Sequence, residues 1–260
     1  MARTAAEPLE EAKAKKSKMK IGNGPLGMFY QLIRVTLITE ILGTTAPDPE
    51  MFRKYILTKP GTPVFAVEDE PGMLPQRSEE ELSDDDKNKA TVFLRDSEGC
   101  PILRSYQFKA FLRTAGKDMG ENPVIKKLVG GDKKAYLNKL ILRNVKVFPE
   151  NIKIANNVEP ALFSRPLRAS GPSGERVAIA SSEYCARGNS FEIVLGVLPN
   201  EALPWDLFKE LLHYGTIQGL LQWRNAGHGA FKYQDLGEIE YNKYNIEKYG
   251  LDNIHLDLEE

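Results

Sequence analysis

Four glycines punctuate the stretch GTIQGLLQWRNAGHGAF (215–231): Gly215, Gly219, Gly227 and Gly229. Between them stand Trp223, Arg224 and His228. Glycine lacks a Cβ, so backbone N–H groups in such a loop can approach a phosphate closely. An indole offers a π-face on which a base can stack, worth about 1–3 kcal/mol per base. Lys109 and Arg113 are four residues apart and, on a helix, share one face with the reach of a phosphate contact. Arg165, Arg168 and Arg176 lie in and beside a hairpin-like stretch, and Arg187 follows it. This is chemistry that holds a polyanion and breaks no bond. Each feature also has a plainer reading: Trp223 as a core anchor, the glycines as a tight turn, Lys109 and Arg113 as a solvated helix face.

Catalysis finds less support. Metal-free cleavage of RNA needs a general base and acid, and His228 is the histidine in a promising loop, with no evident partner. His213, in the LLHY end of a helix, reads as structural, and His255, near the end of the sequence, as a bystander. Cys100 and Cys185 are far apart, form no CxxC pair and have no histidines at zinc-ligand spacing. The acidic run 84–86 lacks the fixed geometry that a cation site requires. There is no Walker loop, nucleophile elbow or HExxH. The expectation is a protein without catalytic residues, metal or cofactor.

A net charge of −1 over 260 residues conceals a strong segregation. Residues 68–86 carry a balance of −8 and residues 235–260 one of −6, while residues 87–234 carry +9. Local fields decide polyanion binding, since charges beyond about 8 Å are screened at physiological salt. No run of about 18 apolar residues offers a membrane span, and the N-terminus lacks the apolar stretch of a secretory signal. A cytoplasmic protein is expected.

The elements that must position these groups follow from periodicity. Residues 1–24 read as a mobile tail and 25–242 as one domain. Residues 28–41 are β-branched and aromatic, a long first strand ended by Gly43. PEMFRKYIL (49–57) is a short helix opened by Pro49. Residues 66–89 form an acidic, disordered insert that cannot bury enough apolar surface to offset its ordering entropy. TVFLRD (91–96) and PIL (101–103) make a small hairpin. YQFKAFLRTAG is a helix with Gly116 as its C-cap. Residues 137–149 contain a second core strand, 159–185 a long hairpin about Gly-Pro-Ser-Gly, and 190–198 a third core strand. A helix runs from Leu203 to Tyr214, the last strand is FKYQDLGEIEY, and 243–260 is an acidic C-terminal tail. Without the insertions the order is strand, helix, strand, strand, helix, strand: an α+β, ferredoxin-like (RRM-type) core with an antiparallel sheet.

Three stretches together resemble the RAMP superfamily, and within it the guide-RNA-binding backbone subunits of CRISPR effector complexes. DSEGCPILRSYQFKAFLRTAG (96–116) is similar to that family's acidic-glycine turn, proline-led strand and helix with a K-G-x-x-R element, here Lys109 to Arg113 with Ala110 where glycine is usual. SSEYCARGNSFEIVLGVL places Glu183, Gly188, Phe191 and Ile193 near the matching positions of the lead into the third strand. ELLHYGTIQGLLQWRNAGHGAF resembles the family's glycine-rich loop before the last strand.

The resemblance covers most of residues 28–240. It implies binding of single-stranded RNA, or of single-stranded DNA, by the backbone and without strong sequence preference. It also implies side-by-side copies along the strand, other effector-complex subunits as partners, and an inserted hairpin acting as a thumb. Some family members cut target RNA with an acidic residue after the first strand; Asp48 is the candidate here, but its surroundings depart from that loop and a turn-forming Asp before Pro is commoner. Stand-alone members of this kind are familiar from phage genomes. This leaves two rival roles, a phage-encoded protein that borrows the fold to bind another protein, and a metal-independent endoribonuclease using His228.

Overall fold

The computed structural model describes residues 20–45, 90–129, 136–154, 161–171 and 174–252, with backbone alone for 167–171 and 174–178. The helix expected at 49–57, the insert 66–89, Asp48 and His255 lie outside the described residues. The architecture is mixed α+β with antiparallel sheets.

A four-stranded sheet forms the centre, built from β1 (Phe29–Leu37), β5 (Val145–Phe148), β9 (Ser190–Val197) and β10 (Phe231–Ile239). Its order is β10-β1-β9-β5, and every neighbouring pair is antiparallel. Alternation along β1 separates two faces, as period two requires. Phe29, Ile33, Val35 and Leu37 point into the main core with Ile193, Leu195, Val147 and Phe231. Over this face lie α1 (Ser105–Asp118), which follows β1 in the core order, and α4 (Trp205–His213), which follows β9. Phe108 and Phe111 of α1 meet the Phe231 ring at 5.8 and 5.0 Å. The apolar stripe Leu207, Phe208, Leu211 and Leu212 buries α4. Burial at about 25 cal/mol per Å² of apolar surface is what holds this layer together.

Smaller elements flank the centre. β3 (Leu94–Arg95) and β4 (Pro101–Arg104) form the expected small hairpin, extended by β6 (Asn151–Lys153). β7 (Ala161–Gly171) and β8 (Gly174–Cys185) form the long hairpin, with Gly171 opposite Gly174, and the two-residue β2 (Ile41–Leu42) pairs onto β8. The first strand is therefore shorter than expected. It stops at Leu37, because the N–H groups of Ile38 and Thr39 both turn to the Ala230 carbonyl.

Gly116 is not a cap. It lies buried inside α1, where a Cβ would come within 2.8 Å of Ile141 Cδ1, so its small size lets α3 (Leu137–Asn144) close against α1. The stretch 137–149 is accordingly helix first and strand second: Leu137 and Ile141 are buried at i, i+4 spacing. A further helix, α2 (Pro123–Val129), precedes it.

Both ends of the expected domain extend further. Residues 20–24 are folded rather than a free tail: the Lys20 ammonium lies 3.0 Å from Glu238 Oε2, and Gly22 N–H donates to Gly27 O at 2.9 Å. Residues 243–251 are not a tail either. Asn242 caps α5 (Lys243–Tyr249) by accepting from Asn245 N–H, and Gly250 ends it in the left-handed conformation. Acidic composition masked two apolar anchors: Tyr249 and Leu251 are buried with Tyr30, Phe148 and Val194 in a second cluster on the far face of the sheet. Tyr30 stacks on Tyr241 at 5.5 Å, and its phenol is pushed up to about 12 by burial and by Tyr241.

This clustering predicts that Leu251→Ala, at a fully buried position, loses about 2–4 kcal/mol in urea denaturation. Tyr244→Ala, at a position 67% exposed on the same helix, is expected to stay within about 0.5 kcal/mol of the parent.

Candidate nucleic-acid interface

The glycine-rich stretch is a loop that crosses itself. A Cβ on Gly219 would lie 2.0 Å from His228 O, and one on Gly229 would lie 2.2 Å from Leu220 O. Leu220 N–H donates to Gly229 O at 2.9 Å and closes the crossing. Gly215 packs against the Phe231 ring, where a Cβ would fall 2.3 Å from Cζ, while Gly227 has open space around it. Three of the four predicted glycines thus admit protein atoms, and Gly227 alone of the four faces open space.

Within the crossing, Leu221 and Trp223 adopt positive φ, 63° and 54°, which L-residues avoid at a cost of about 1–3 kcal/mol each. The residue between them explains how this persists. The Gln222 Nε2 amide reaches Gly43 O, Thr91 Oγ1 at 2.7 Å and Ser182 Oγ at 3.0 Å. Ser182 Oγ in turn donates to Gly43 O at 3.1 Å. The node ties the loop to the segment after β1, to the start of the small hairpin and to β8. A second tie fixes the tip: Thr39 Oγ1 accepts from Ala230 N–H at 2.9 Å and donates to Gly227 O at 2.8 Å.

That clamp brings the loop against the base of the long hairpin. Phe163 of β7 lies edge-on to Trp223 at 5.5 Å and to His228 at 5.1 Å, and contacts Tyr184 of β8 at 6.5 Å. The Arg165 guanidinium sits over the Trp223 ring, Cζ 4.2 Å from its centroid. A guanidinium on an indole leaves its outer plane able to stack on a base while its N–H groups reach a phosphate. Arg224 is half-buried on the same loop. Arg187 is exposed in the turn after β8, which is fastened to the end of β1 by Gly188 N–H to Leu37 O and Leu37 N–H to Asn189 O, both at 2.9 Å.

The structure therefore gathers Arg165, Arg187, Trp223, Arg224 and His228 around one end of β1. Arg168 and Arg176 occupy ribbon positions further out, opposite Val177 and Ala169. Lys109 and Arg113 stand elsewhere, near Lys146 of β5, at the opposite edge of the sheet from β10. Burial, and then the like charges of Arg113 and Lys146, hold the Lys109 ammonium below its usual range. His213 packs edge-on against Tyr233 at 5.1 Å, a structural position.

Asp96, Glu98 and Cys100 offer ligand atoms within 4.8 Å of one another, but the Lys153 ammonium lies among them, 3.0 Å from Asp96 and 2.6 Å from Glu98. Its hydrogen bond, with those of the Cys100 and Glu98 amides, outweighs desolvation and keeps the Asp96 carboxyl low. The trio is a turn stapled by a cation. Cys185 is buried, and burial, followed by Glu183, pushes its thiol up to about 12, so it is no thiolate at neutral pH. Gln222, Phe163, Ser182 and Thr39 escaped sequence reasoning. Their partners are over a hundred residues away in several cases, and no local pattern marks them.

No protein-family model matches the chain, and no curated protein matches it. Among solved structures it is similar to a chain in the cryo-EM structure of the Type III-B Cmr-beta bound to cognate target RNA, with 10% sequence identity and a TM-score of 0.43. The match covers 82% of this chain and 61% of that one, so this chain spans about three fifths of the other's length.

Replacing Gln222 by Leu removes the amide that joins Gly43 O, Thr91 Oγ1 and Ser182 Oγ, leaving Gly43 O with the Ser182 hydroxyl alone. We expect a loss of about 1–3 kcal/mol in chemical denaturation. Amide exchange should also quicken at Gly229, whose N–H donates to Glu40 O at 2.7 Å.

Proposed function

We propose that this chain is a non-catalytic, cytoplasmic protein that binds a single nucleic-acid strand, RNA before DNA, through its backbone, and that its core is ferredoxin-like and of the RAMP type. The observation that carries the reading is the Arg165–Trp223 stack at the junction of hairpin and glycine-rich loop, with Arg224 on the same loop and Arg187 exposed in the turn after β8. Sequence-tolerant strand binding needs this combination, a π-platform next to cations that follow a phosphate backbone. The sheet order β10-β1-β9-β5, with α1 and α4 on one face, supports the ferredoxin-like reading. Copies lined up along one strand, alone or with effector-complex subunits, extend the same reading.

A non-catalytic role is favoured by the setting of His228. Its ring is packed edge-on between Phe163 and Trp223, where it serves the aromatic cluster. A cleavage mechanism needs a second proton-transfer group in reach of the same phosphate.

Fluorescence anisotropy with a labelled uridine 20-mer across a salt series tests the reading. Affinity is expected to fall linearly on a log–log plot, with a slope that drops by about 1 when Arg165→Ala removes one phosphate contact. Arg165→Lys should keep that slope yet bind more weakly, because the planar stack is lost. No affinity at low salt sinks the proposal and favours a protein partner. Shortened product from the wild-type chain, absent with His228→Ala, replaces it by an endoribonuclease.

A further inference from the structure

Away from the candidate interface, the outer face of α3 forms one wall of a groove of about 480 Å³ whose other wall is the turn after β9. Tyr136, Leu140 and Ala202 give it an apolar floor, and Lys139, Arg143 and Asn200 a polar rim. Tyr136 is 58% exposed, with the Lys139 ammonium 5.5 Å from its ring centroid. Lys139 and Arg143 form a like-charge i, i+4 pair, an unfavourable arrangement on an isolated helix. Among the described residues neither takes part in a salt bridge. The facing turn 199–203 carries one carboxylate, Glu201, against these two cations.

The groove therefore suits an acidic peptide with apolar residues at every second position. The chain contains such a stretch in DNIHLDLEE (252–260), where Ile254, Leu256 and Leu258 alternate with polar residues and four acids contribute a charge of −4 with His neutral. In an extended peptide the apolar set falls on one side, while Asp257 and Glu259 fall on the other.

We propose that this groove docks the 252–260 stretch of a second copy, giving a head-to-tail contact between copies of the chain. The contact is heterologous, a groove on one copy and a peptide on the next, so it propagates in one direction, as a file of subunits along a strand requires. The inference deepens the self-assembly part of the proposed function and uses none of the residues assigned to nucleic acid.

Sedimentation velocity of the full chain over a concentration series is the test. The wild type is expected to associate with rising concentration. Two variants, Lys139→Glu/Arg143→Glu and Leu256→Ser/Leu258→Ser, should each weaken association by about tenfold, and more so at low salt for the charge reversal. Lys139 and Arg143 are exposed, so the charge reversal should unfold as the parent does, and urea denaturation of both variants checks that a change in association is not a loss of folding. Mixing the two variants should restore heterodimers, since one supplies an intact peptide and the other an intact groove. Adding Asp257→Lys/Glu259→Lys to the groove reversal should recover self-association. A wild type that stays monomeric, variants that associate as it does, or a mixture that fails to complement overturns the proposal. Anisotropy with the uridine 20-mer, at concentrations where the chain is monomeric, should be unchanged in both variants, so failure here and failure of the strand-binding reading are separate results.

Discussion

The side-chain amide of Gln222 joins three segments that lie far apart in the chain, at Gly43, Thr91 and Ser182. The path of the glycine-rich loop depends on it. Without that anchor, the two non-glycine residues that flank Gln222 would have no reason to remain at positive φ, and the loop would relax away from the hairpin. With it, Trp223 is delivered to Phe163 and Arg165, and the loop becomes rigid where a ligand would be met. A half-buried amide can carry this load, because leaving its partners unsatisfied costs more than the bonds themselves contribute. The strain is local and the compensation is distributed over three elements.

The two faces of the central sheet are divided differently. Helices α1 and α4 seal one face completely, as the aromatic meeting of Phe108, Phe111 and Phe231 shows. On the other, α5 covers the half that contains Tyr30, Phe148 and Val194. The uncovered half presents Arg34, Thr36, Lys232 and Gln234 in neighbouring register, with Arg34 paired to Glu192 at 2.8 Å. That open half adjoins the turn bearing Arg187. The candidate interface thus borders a polar sheet surface, while the apolar part is closed by the chain itself.

Much of this order was legible from residues alone. Alternation in FYQLIRVTL and SFEIVLGV marks β1 and β9, and Gly-Pro-Ser-Gly marks the hairpin reversal, because period-two patterning and turn chemistry are local properties. Where long-range packing decides, local signals mislead. Gly116 resembles a cap yet serves a helix–helix contact, and the stretch 137–149 holds the expected strand at its end but opens with a helix that its sequence did not announce. Tyr249 and Leu251 were hidden by the acids around them, although the Asn and Gly that cap α5 are visible in the sequence. At the candidate site, Trp223 and Arg165 could be singled out by type, but their contact could not, since it is made by Gln222. Lys109 and Arg113 show the converse: a plausible pair by spacing that the topology sends to the far edge of the sheet.

β10 has one further property. As an edge strand of nine residues, it presents a row of backbone groups that another molecule's strand could in principle copy. Its register slips between Leu32 and Ile33, and Gly237 there takes a φ of 103°. Asp235, beside the slip, accepts from Gln31, the Gly237 N–H and the Trp205 indole; these bonds, with Lys209 nearby, overcome its burial and keep it ionised. The strand is thereby bent and carries a fixed negative charge midway along its length. It makes a poor template for accretion, which protects the molecule from edge-to-edge fusion into fibrils.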